Sequence, residues 1–493
     1  MPEITVSTPQ GRLAGRRSDG LLRFHRVPYA AAPVGERRFA APAAPSSWSG
    51  VRSAVDPGPV AVQPASPLRD ERRGMDEDCL FLDIVTSSLD GSRPVIVWLH
   101  GGGYFAGSSL EPDSDGARLA SEHGIVVVSV THRLGVFGFL DLEPWGVGGS
   151  GLAGHLDLVA ALRWIRRSIA AFGGDPGRVT VVGHSGGGGK ASLLLSTPGA
   201  SELLRGAVIM AGPEFDLNDP ERATQTRDDL VAALGLGGEP DGFVAALRSV
   251  PAADLLQVQE HLGAGPVPGP DTMRFSPVVG RHPLPLGPTA AALAGLGADI
   301  PLIIGTARDE SHIALGPDPG LASRDLSPEG ILGLIADGLD RPEDAGRVRG
   351  TYRRLFPDLP SGELWLRIAS DQFRIRSLRL AEARVAARAA STRVYRYDVP
   401  SPGGSAAHGA EVAAFFGWCP DPAAMDLLAA FAASGDPGPT WPAYSAESRQ
   451  ELRFRPNGPV CVRDPEGARR AAWDGISTGP RTHPWARLLE PAR

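Results

Sequence analysis

The fold of this chain is most constrained by a series of short, continuously apolar runs that recur along its length. The runs do not alternate between apolar and polar positions, and strands of this kind are typical of a sheet covered on both faces. Alternation of such strands with helices predicts an α/β fold with a largely parallel, doubly wound central sheet. The predicted strands are residues 94–99, 124–130, 178–182, 206–211, 300–305 and 393–399.

One helix between two of these strands is clear from its spacing. Its apolar residues recur every three or four positions, which places them on one face of a helix. Gly173 and Gly174 follow the last of them and end the helix. These apolar residues are Leu158, Leu162, Ile165, Ile169 and Phe172.

Length and composition predict a single α/β domain over residues 1–493, with helical insertions near 217–262 and 320–390. The chain is 42% hydrophobic, and no linker separates independent units. Its net charge is −7 and no basic stripe is present, which argues against nucleic acid as a partner.

The sequence also predicts where the protein resides. No apolar run approaches the ~20 residues of a membrane helix. The first residues lack the basic and apolar regions of a secretory signal. We therefore expect a cytoplasmic protein without membrane contact. Cys79, Cys419 and Cys461 are too widely spaced for a metal cluster, and we expect neither a metal nor a cofactor.

Residues 179–192, VTVVGHSGGGGKAS, run from a predicted strand into a glycine-rich turn that admits two interpretations. A phosphate-binding loop needs a glycine six residues before its lysine and a hydroxyl directly after it. Those positions hold His184 and Ala191, so this interpretation fails. A nucleophile elbow needs Gly-x-Ser-x-Gly between a strand and a helix. Residues 183–187 fit that pattern around Ser185.

The same five-residue pattern occurs again at residues 475–479, around Ser477. That second copy follows no predicted strand, and Pro480 interrupts any helix after it. Ser185 is therefore the predicted nucleophile.

A serine nucleophile needs donors for the negative charge that forms on the substrate oxygen. Upstream, in WLHGGGYFAGSS, a strand ends at His100 and is followed by three glycines. Glycine lets the backbone approach a substrate closely. We predict an oxyanion hole formed by the N–H groups of Gly102, Gly103 and Gly186.

Six blocks of the sequence resemble the type-B carboxylesterase family, which includes the cholinesterases, in its bacterial-type form. They occur in the family's order and span nearly the whole chain. The blocks are FHRVPYAAAPVGERRF (24–39), DEDCLFLDI (76–84), HGGGYFAGSS (100–109), HRLGVFGFL (132–140), FGGDPGRVTVVGHSGG (172–187) and FAASGDPGPTWPAY (431–444).

The resemblance implies an α/β-hydrolase fold with a triad in the chain order Ser, Glu, His. It places the acid at Glu310 in the segment GTARDES, with Asp309 as the alternative. It places the base at His408 in GGSAAHGAEV. The implied catalytic residues are therefore Ser185, Glu310 and His408, and no cofactor is implied.

Near the nucleophile, the chain departs from the family's pattern. His184 replaces the usual Glu, which removes an attraction for cationic substrates such as choline esters. Adjacent side chains on a sharp turn point apart, so we interpret His184 as a packing residue. Gly186 replaces the usual Ala. Lys190 replaces a small polar residue, and we expect it to pair with a buried carboxylate, Asp157 or Asp78.

Two further expectations follow from the resemblance. Cys79 matches a cysteine that forms a disulfide in secreted members, but the partner region 57–63 contains no cysteine, so we expect that disulfide to be absent. Tyr104 and Phe105, beside the glycine loop, are predicted walls of the substrate pocket, together with apolar residues of the segment 217–262.

The function implied is hydrolysis of a small-molecule carboxylic ester through an acyl-enzyme. Amide or carbamate hydrolysis, and acyl transfer or lactone formation in a biosynthetic pathway, remain open because the same triad supports them. A non-catalytic binding protein is disfavoured, since such family members lack triad residues. We expect a monomer or a homodimer.

Overall fold

A single sheet runs through the centre of the computed structural model. The structure describes residues 3–66, 71–214, 217–236, 240–263, 273–315, 319–402, 404–419 and 422–478. The sheet's thirteen strands within these ranges are β1 Glu3–Thr8, β2 Gly11–Ser18, β3 Leu21–Pro28, β4 Val51–Ser53, β5 Phe81–Thr86, β6 Arg93–Leu99, β7 Val126–Val130, β8 Gly174–His184, β9 Gly206–Met210, β10 Leu302–Ala307, β11 Thr392–Tyr397, β12 Gln450–Phe454 and β13 Val460–Arg463.

The middle of the sheet is parallel. Strands β7, β6, β8, β9, β10, β11 and β12 lie side by side in that order, and every neighbouring pair among them is parallel. The six predicted runs overlap β6 to β11 one by one, so the predicted largely parallel sheet is confirmed. Antiparallel strands β1, β2, β3 and β5 extend one side, and β13 closes the other.

Helices cover both faces of this sheet. The segment 217–262 carries the helices Pro220–Ala233, Pro240–Ser249 and Ala252–His261. The helices Pro328–Ala336, Ala345–Leu355 and Ser361–Ala386 occupy much of 320–390. Most of the segment 263–271, which the sequence predicts as a loop, lies outside the described residues. None of the described helices combines the length and apolar character needed to cross a membrane. The helices are α1 Ala117–Glu122, α2 Gly135–Phe139, α3 Ala153–Ser168, α4 Gly186–Leu195, α5 Pro220–Ala233, α6 Pro240–Ser249, α7 Ala252–His261, α8 Pro288–Leu293, α9 Pro328–Ala336, α10 Ala345–Leu355, α11 Ser361–Ala386, α12 Val412–Phe415, α13 Ala423–Ser434 and α14 Gly467–Ala471.

Both faces of the central strands are buried, which explains their continuously apolar sequences. In β6, Val95 and Val97 pack on one side of the sheet, and Ile96 and Trp98 pack on the other. Each of these side chains is at most 1% exposed. Burial of one such side chain contributes about 1.5–3 kcal/mol relative to leaving it exposed.

The carboxyl ends of the parallel strands meet at one edge of the sheet. His100 follows β6, Ser185 follows β8, the 3₁₀ helix Glu310–Leu315 follows β10, and His408 lies in the loop after β11. In open α/β sheets, ligands bind outside the carboxyl ends of the strands. This edge is therefore the candidate site.

Candidate active site

Ser185 occupies a sharp turn between β8 and α4. Its φ of 58° and ψ of −122° lie in a region that non-glycine residues rarely adopt. Its N–H donates to the carbonyl of Met210 at 2.8 Å, and its own carbonyl accepts from the N–H of Gly189 at 3.0 Å. A Cβ at Gly183 would lie 2.1 Å from the carbonyl oxygen of Gly187, so only glycine fits there. The turn has the geometry of a nucleophile elbow.

The three glycines of the predicted oxyanion hole converge beside this turn. A Cβ at Gly101 would lie 3.6 Å from the Cβ of Ser185, so the loop after β6 borders the nucleophile. Gly102 and Gly103 have φ values of 82° and 61°, which favour glycine. A Cβ at Gly186 would lie 2.4 Å from the nitrogen of Gly103, so the two backbones touch. Backbone N–H groups are thus concentrated next to Ser185.

Side chains from the N-terminal region hold the far end of the glycine loop. Gln63 pairs with both backbone groups of Gly107, donating to its carbonyl at 3.0 Å and accepting from its N–H at 2.8 Å. Arg73 donates to the hydroxyls of Ser108 and Ser109 at 3.0 and 3.2 Å. No sequence motif marked Gln63 or Arg73. These bonds fix the loop in advance, as donors to an oxyanion require.

Glu310 and His408 form the central hydrogen bond of the site. Nδ1 of His408 lies 2.5 Å from Oε2 of Glu310, whose other oxygen accepts the N–H of Ala307 at 2.7 Å. Glu310 is fully buried, and the ring of Phe373 lies 5.6 Å from the imidazole of His408. A carboxylate on Nδ1 fixes the tautomer in which Nε2 carries no proton and can act as a base.

Asp309, the alternative acid, contacts the backbone near His408 instead of its ring. Its carboxylate accepts the N–H of Ala406 at 3.1 Å and pairs with Arg308 at 2.7 Å. Burial raises the pKa of Asp309, but the hydrogen bond and charge of Arg308, together with the Ala406 N–H and His312, lower it by more, so the net pKa is lowered. Asp309 ties the loop that carries His408 to the end of β10.

His184 packs, as the sequence predicts, but its ring does not turn away from the site. The ring centroids of His184 and His408 are 4.4 Å apart. A Cβ at Gly409 would lie 3.2 Å from the His184 ring, so the ring fills the space between the elbow and the loop of the base. Burial lowers the pKa of His184 well below its ordinary value, and the neighbouring His408 lowers it further. His184 is therefore a neutral packing partner of His408.

Glu411 is a site residue that the sequence did not mark. It is fully buried three positions after His408, and it accepts a hydrogen bond from the hydroxyl of Tyr395 at 3.3 Å. Burial raises its pKa to about 8, and the charge of Glu310 acts in the same direction. At neutral pH Glu411 thus keeps its proton. The sequence did contain one signal that could have identified Glu411, namely an acidic residue three positions after the predicted base.

Lys190 does not pair with either predicted carboxylate, and that prediction is wrong. Asp157 accepts two hydrogen bonds from the guanidinium of Arg133, at 2.7 and 2.8 Å. Asp78 lies in the segment before β5. The ammonium of Lys190 instead donates to the carbonyl of His100 at 3.0 Å. A guanidinium offers two donors in one plane, which explains why Arg133 takes the buried carboxylate.

The two predicted pocket residues occupy different environments. Tyr104 is 1% exposed, and its ring meets that of Phe139 edge-on at 5.4 Å beneath the loop. A Cβ at Gly103 would lie 3.2 Å from the ring of Phe105 and 2.5 Å from the methyl carbon of Met273. Phe105 and Met273 therefore border the glycine loop directly. Met273 carries no sequence signal for this position.

Away from these residues, the structure has a cavity of about 710 Å³ against β2, β3, β5 and β7. Its wall includes an ion pair between Arg23 and Asp115, at 3.1 Å, and the partly buried Glu111. None of Ser185, Glu310 and His408 lines it. In the described part of the chain, no group of three or more His, Cys, Asp or Glu side chains is arranged to hold a metal ion.

The chain matches known proteins over much of its length. The family model of the carboxylesterase family matches residues 2–320. The para-nitrobenzyl esterase of Bacillus subtilis (strain 168) is 35% identical over 340 residues, which is 68% of this chain and 69% of that protein. The phenmedipham hydrolase of Pseudarthrobacter oxydans is 32% identical over 498 aligned residues, covering 93% of this chain and 96% of that protein.

The match extends to solved structures. The crystal structure of a carboxylesterase from Geobacillus stearothermophilus superposes with a TM-score of 0.84 and 34% identity, over 95% of this chain and 99% of that chain. Such a match over nearly the whole length confirms the α/β-hydrolase fold that the resemblance implies. The chain therefore belongs to the carboxylesterase family and is a carboxylic ester hydrolase.

Proposed function

We propose that this protein hydrolyses small-molecule carboxylic esters by two-step acyl transfer on a triad of Ser185, His408 and Glu310. The observation that carries the proposal is the 2.5 Å hydrogen bond between His408 and the buried Glu310. This pair lies beside a serine in a strained turn, because His184 directly precedes Ser185 and contacts the ring of His408.

In the first step, His408 takes the proton of the Ser185 hydroxyl as its oxygen attacks the ester carbonyl. Glu310 holds the imidazole in place and stabilises the imidazolium that forms. The N–H groups of Gly102, Gly103 and Gly186 stabilise the oxyanion, roughly 3–4 kcal/mol for each donor. His408 then gives its proton to the departing alcohol, and Ser185 is left acylated.

In the second step, a water molecule takes the place of the alcohol. His408 removes a proton from that water as its oxygen attacks the acyl-enzyme, and the same backbone donors stabilise the second oxyanion. The carboxylic acid leaves when His408 returns its proton to the Ser185 oxygen. Phe105 and Met273, which border the glycine loop, are the proposed walls for the substrate beside this centre.

The chain provides its own matched control for the nucleophile. Ser477 is the serine of the second Gly-x-Ser-x-Gly, and its hydroxyl donates to Asp340 far from the triad. We expect Ser185→Ala to lower kcat for p-nitrophenyl acetate and butyrate by about 10³-fold or more, while Ser477→Ala leaves it unchanged. An organophosphonate should add one covalent mass to the wild type and to Ser477→Ala but none to Ser185→Ala.

Two results would contradict the proposal. Hydrolysis by Ser185→Ala at the wild-type rate would show that another residue is the nucleophile. A folded wild type that neither turns over these esters nor forms the phosphonate adduct would argue against the triad mechanism itself.

A second candidate is hydrolysis of amides or carbamates by the same triad, which the sequence leaves open. The match to phenmedipham hydrolase over 93% of this chain makes phenmedipham a substrate to test. We expect any such turnover to be lost in Ser185→Ala together with the esterase activity, since both would use one nucleophile.

Two further proposals rest on the sequence. We propose a cytoplasmic location, which cell fractionation would test. We propose a monomer or a homodimer, which light scattering after gel filtration would distinguish from larger assemblies.

A further inference from the structure

Lys190 links the helix that begins at the nucleophile to the loop that carries the oxyanion donors. It lies on α4, five residues after Ser185, and is 2% exposed. Five residues of helix rise roughly 7.5 Å. Its ammonium donates to the carbonyl of His100 at 3.0 Å. That carbonyl belongs to the peptide that opens the glycine loop, directly before Gly101.

Lys190 shares its surroundings with three histidines, and the charges of Arg73 and Arg133 also act on two of them, His100 and His132. The rings of His100 and His132 stack 5.0 Å apart, with 17° between their planes. Burial lowers the pKa of both well below the ordinary value, and the charge of Lys190 lowers them further. His132, His155 and Lys190 line one small void, and burial lowers the pKa of His155 to about 4. All three imidazoles are therefore neutral at neutral pH.

One carboxylate, that of Glu111, lies close enough to Lys190 for their charges to interact. Glu111 lies in the wall of the 710 Å³ cavity. Its pKa is raised to about 7, because the effect of burial outweighs the opposing charge of Lys190. The pKa of Lys190 is lowered to about 7, because the effect of burial outweighs the opposing charge of Glu111. The remaining titratable group that lines the void beside Lys190 is the phenol of Tyr104.

Resting on the triad mechanism above, we propose that Lys190 is a positioning residue for the oxyanion hole. Its ammonium holds the His100 carbonyl, and so the backbone of Gly102 and Gly103, and places a fixed positive charge behind the donors. A buried ammonium is costly unless its surroundings compensate it, and a methionine would fill the same space without that cost. In a water-excluded site, a fixed charge stabilises a developing oxyanion because no solvent must reorganise.

The test compares Lys190→Met with a matched control on the same helix. Ser192 is buried on α4, and its hydroxyl donates to the carbonyls of Gly189 and Pro213, away from the glycine loop. We expect Lys190→Met to lower kcat for p-nitrophenyl acetate about tenfold or more with KM nearly unchanged. Ser192→Ala should keep the wild-type kcat. Thermal unfolding of each variant shows that it is folded.

The pH dependence separates a role of the charge from a role in packing. Below pH 7 the wild type carries the Lys190 charge, and above it the amine is neutral. The ratio of wild-type to Lys190→Met activity should therefore be largest below pH 7 and fall as the pH rises through that value.

Glu111→Gln supplies a second, independent variant if Lys190→Met does not fold. Removing the carboxylate lowers the pKa of Lys190, because Glu111 raises it. The loss of activity on raising the pH should then begin at a lower pH than in the wild type. No shift, a loss in Lys190→Met that is equal at every pH, or an unchanged kcat would overturn the proposal. An active wild type and an inactive Ser185→Ala would leave the triad mechanism standing in each of these cases.

Discussion

At the scale of the residue, the site is defined by which carboxyl groups carry charge. Glu310 contacts the base through one oxygen and a backbone N–H through the other. Glu411 lies close enough for the charge of Glu310 to affect its titration. Two charges so near each other in a buried region would repel strongly. The protonated form of Glu411 avoids that repulsion, and its carboxyl group still accepts the Tyr395 hydroxyl.

This arrangement predicts a pH-dependent effect of Glu411→Gln on stability. The pKa of Glu411 in the folded state, about 8, lies above its value in the unfolded state. At any pH between these two pKa values, the folded state therefore binds more protons than the unfolded state. The stability from the protonated form is therefore complete at low pH and is lost as the pH rises towards 8. Gln cannot ionise, so the variant does not lose this stability. The difference in melting temperature, variant minus wild type, should therefore increase by several degrees between pH 5 and pH 8.

Thermal unfolding across that pH range measures the difference between the two proteins. Glu122→Gln, an exposed substitution on α1, is the control, and its difference from the wild type should stay flat over the same range. A Glu411→Gln difference that is equally flat would show that Glu411 is ionised throughout.

At the scale of the element, the adjacent acidic residues Asp309 and Glu310 contact different parts of the loop that carries His408. The 3₁₀ helix after β10 begins with Glu310, which reaches the imidazole of His408. Asp309 reaches the backbone of Ala406 in the neighbouring loop and so positions that loop. One adjacent pair of acidic residues thus contributes one contact to the base and one to its support.

These different contacts predict different losses of kcat for two conservative substitutions. Glu310→Gln should lower kcat by about 10³–10⁴-fold, because the amide no longer stabilises the imidazolium. Asp309→Asn should lower it less than about tenfold, because it removes the ion pair with Arg308 but leaves an amide oxygen that can still accept the N–H of Ala406. Ester turnover by the two purified variants measures the ratio. The reverse order would make Asp309 the triad acid.

The same elements show what the sequence could and could not predict. The strands β6 to β11 were predictable because burial on both faces gives continuous apolar runs. The strands β1 to β3 were not, because β1 alternates polar and apolar residues and because β2 and β3 interleave Arg with apolar residues. The choice of Glu310 over Asp309 came from the resemblance alone.

Contacts that depend on the fold lay beyond the sequence. The ring of His184 against His408 and the thioether of Met273 at Gly103 join segments distant along the chain. The partner of Lys190 was mispredicted for a related reason. Burial requires a charged group to find partners, but it does not say whether a carboxylate or a carbonyl supplies them.

At the scale of the whole molecule, one buried ion pair joins three distant parts of the chain. The guanidinium of Arg133, after β7, donates two hydrogen bonds to Asp157 on α3 and another to the carbonyl of Ala40, at 2.7 Å. The two side chains are 3% and 0% exposed. This pair secures the N-terminal region and a helix of one face to the parallel sheet.

Breaking this pair should destabilise the entire fold. Asp157→Asn leaves the guanidinium of Arg133 buried without a counter-charge, and we expect it to lower the free energy of unfolding by about 3–5 kcal/mol. Urea denaturation measures the loss. The double variant Arg133→Met with Asp157→Leu should lose less, because it buries no unpaired charge. A larger loss in the double variant would mean that the bond to Ala40 dominates.

The contact between Gly186 and Gly103 makes two distant parts of the sequence dependent on each other. Where the resembling family usually carries Ala after the nucleophile, a methyl group here would overlap the backbone of Gly103. The elbow and the glycine loop can therefore change only as a pair. A chimera that takes the elbow of an Ala-bearing relative must take its loop as well. A relative's alanine introduced at position 186 alone would displace the oxyanion donors of an otherwise unchanged site.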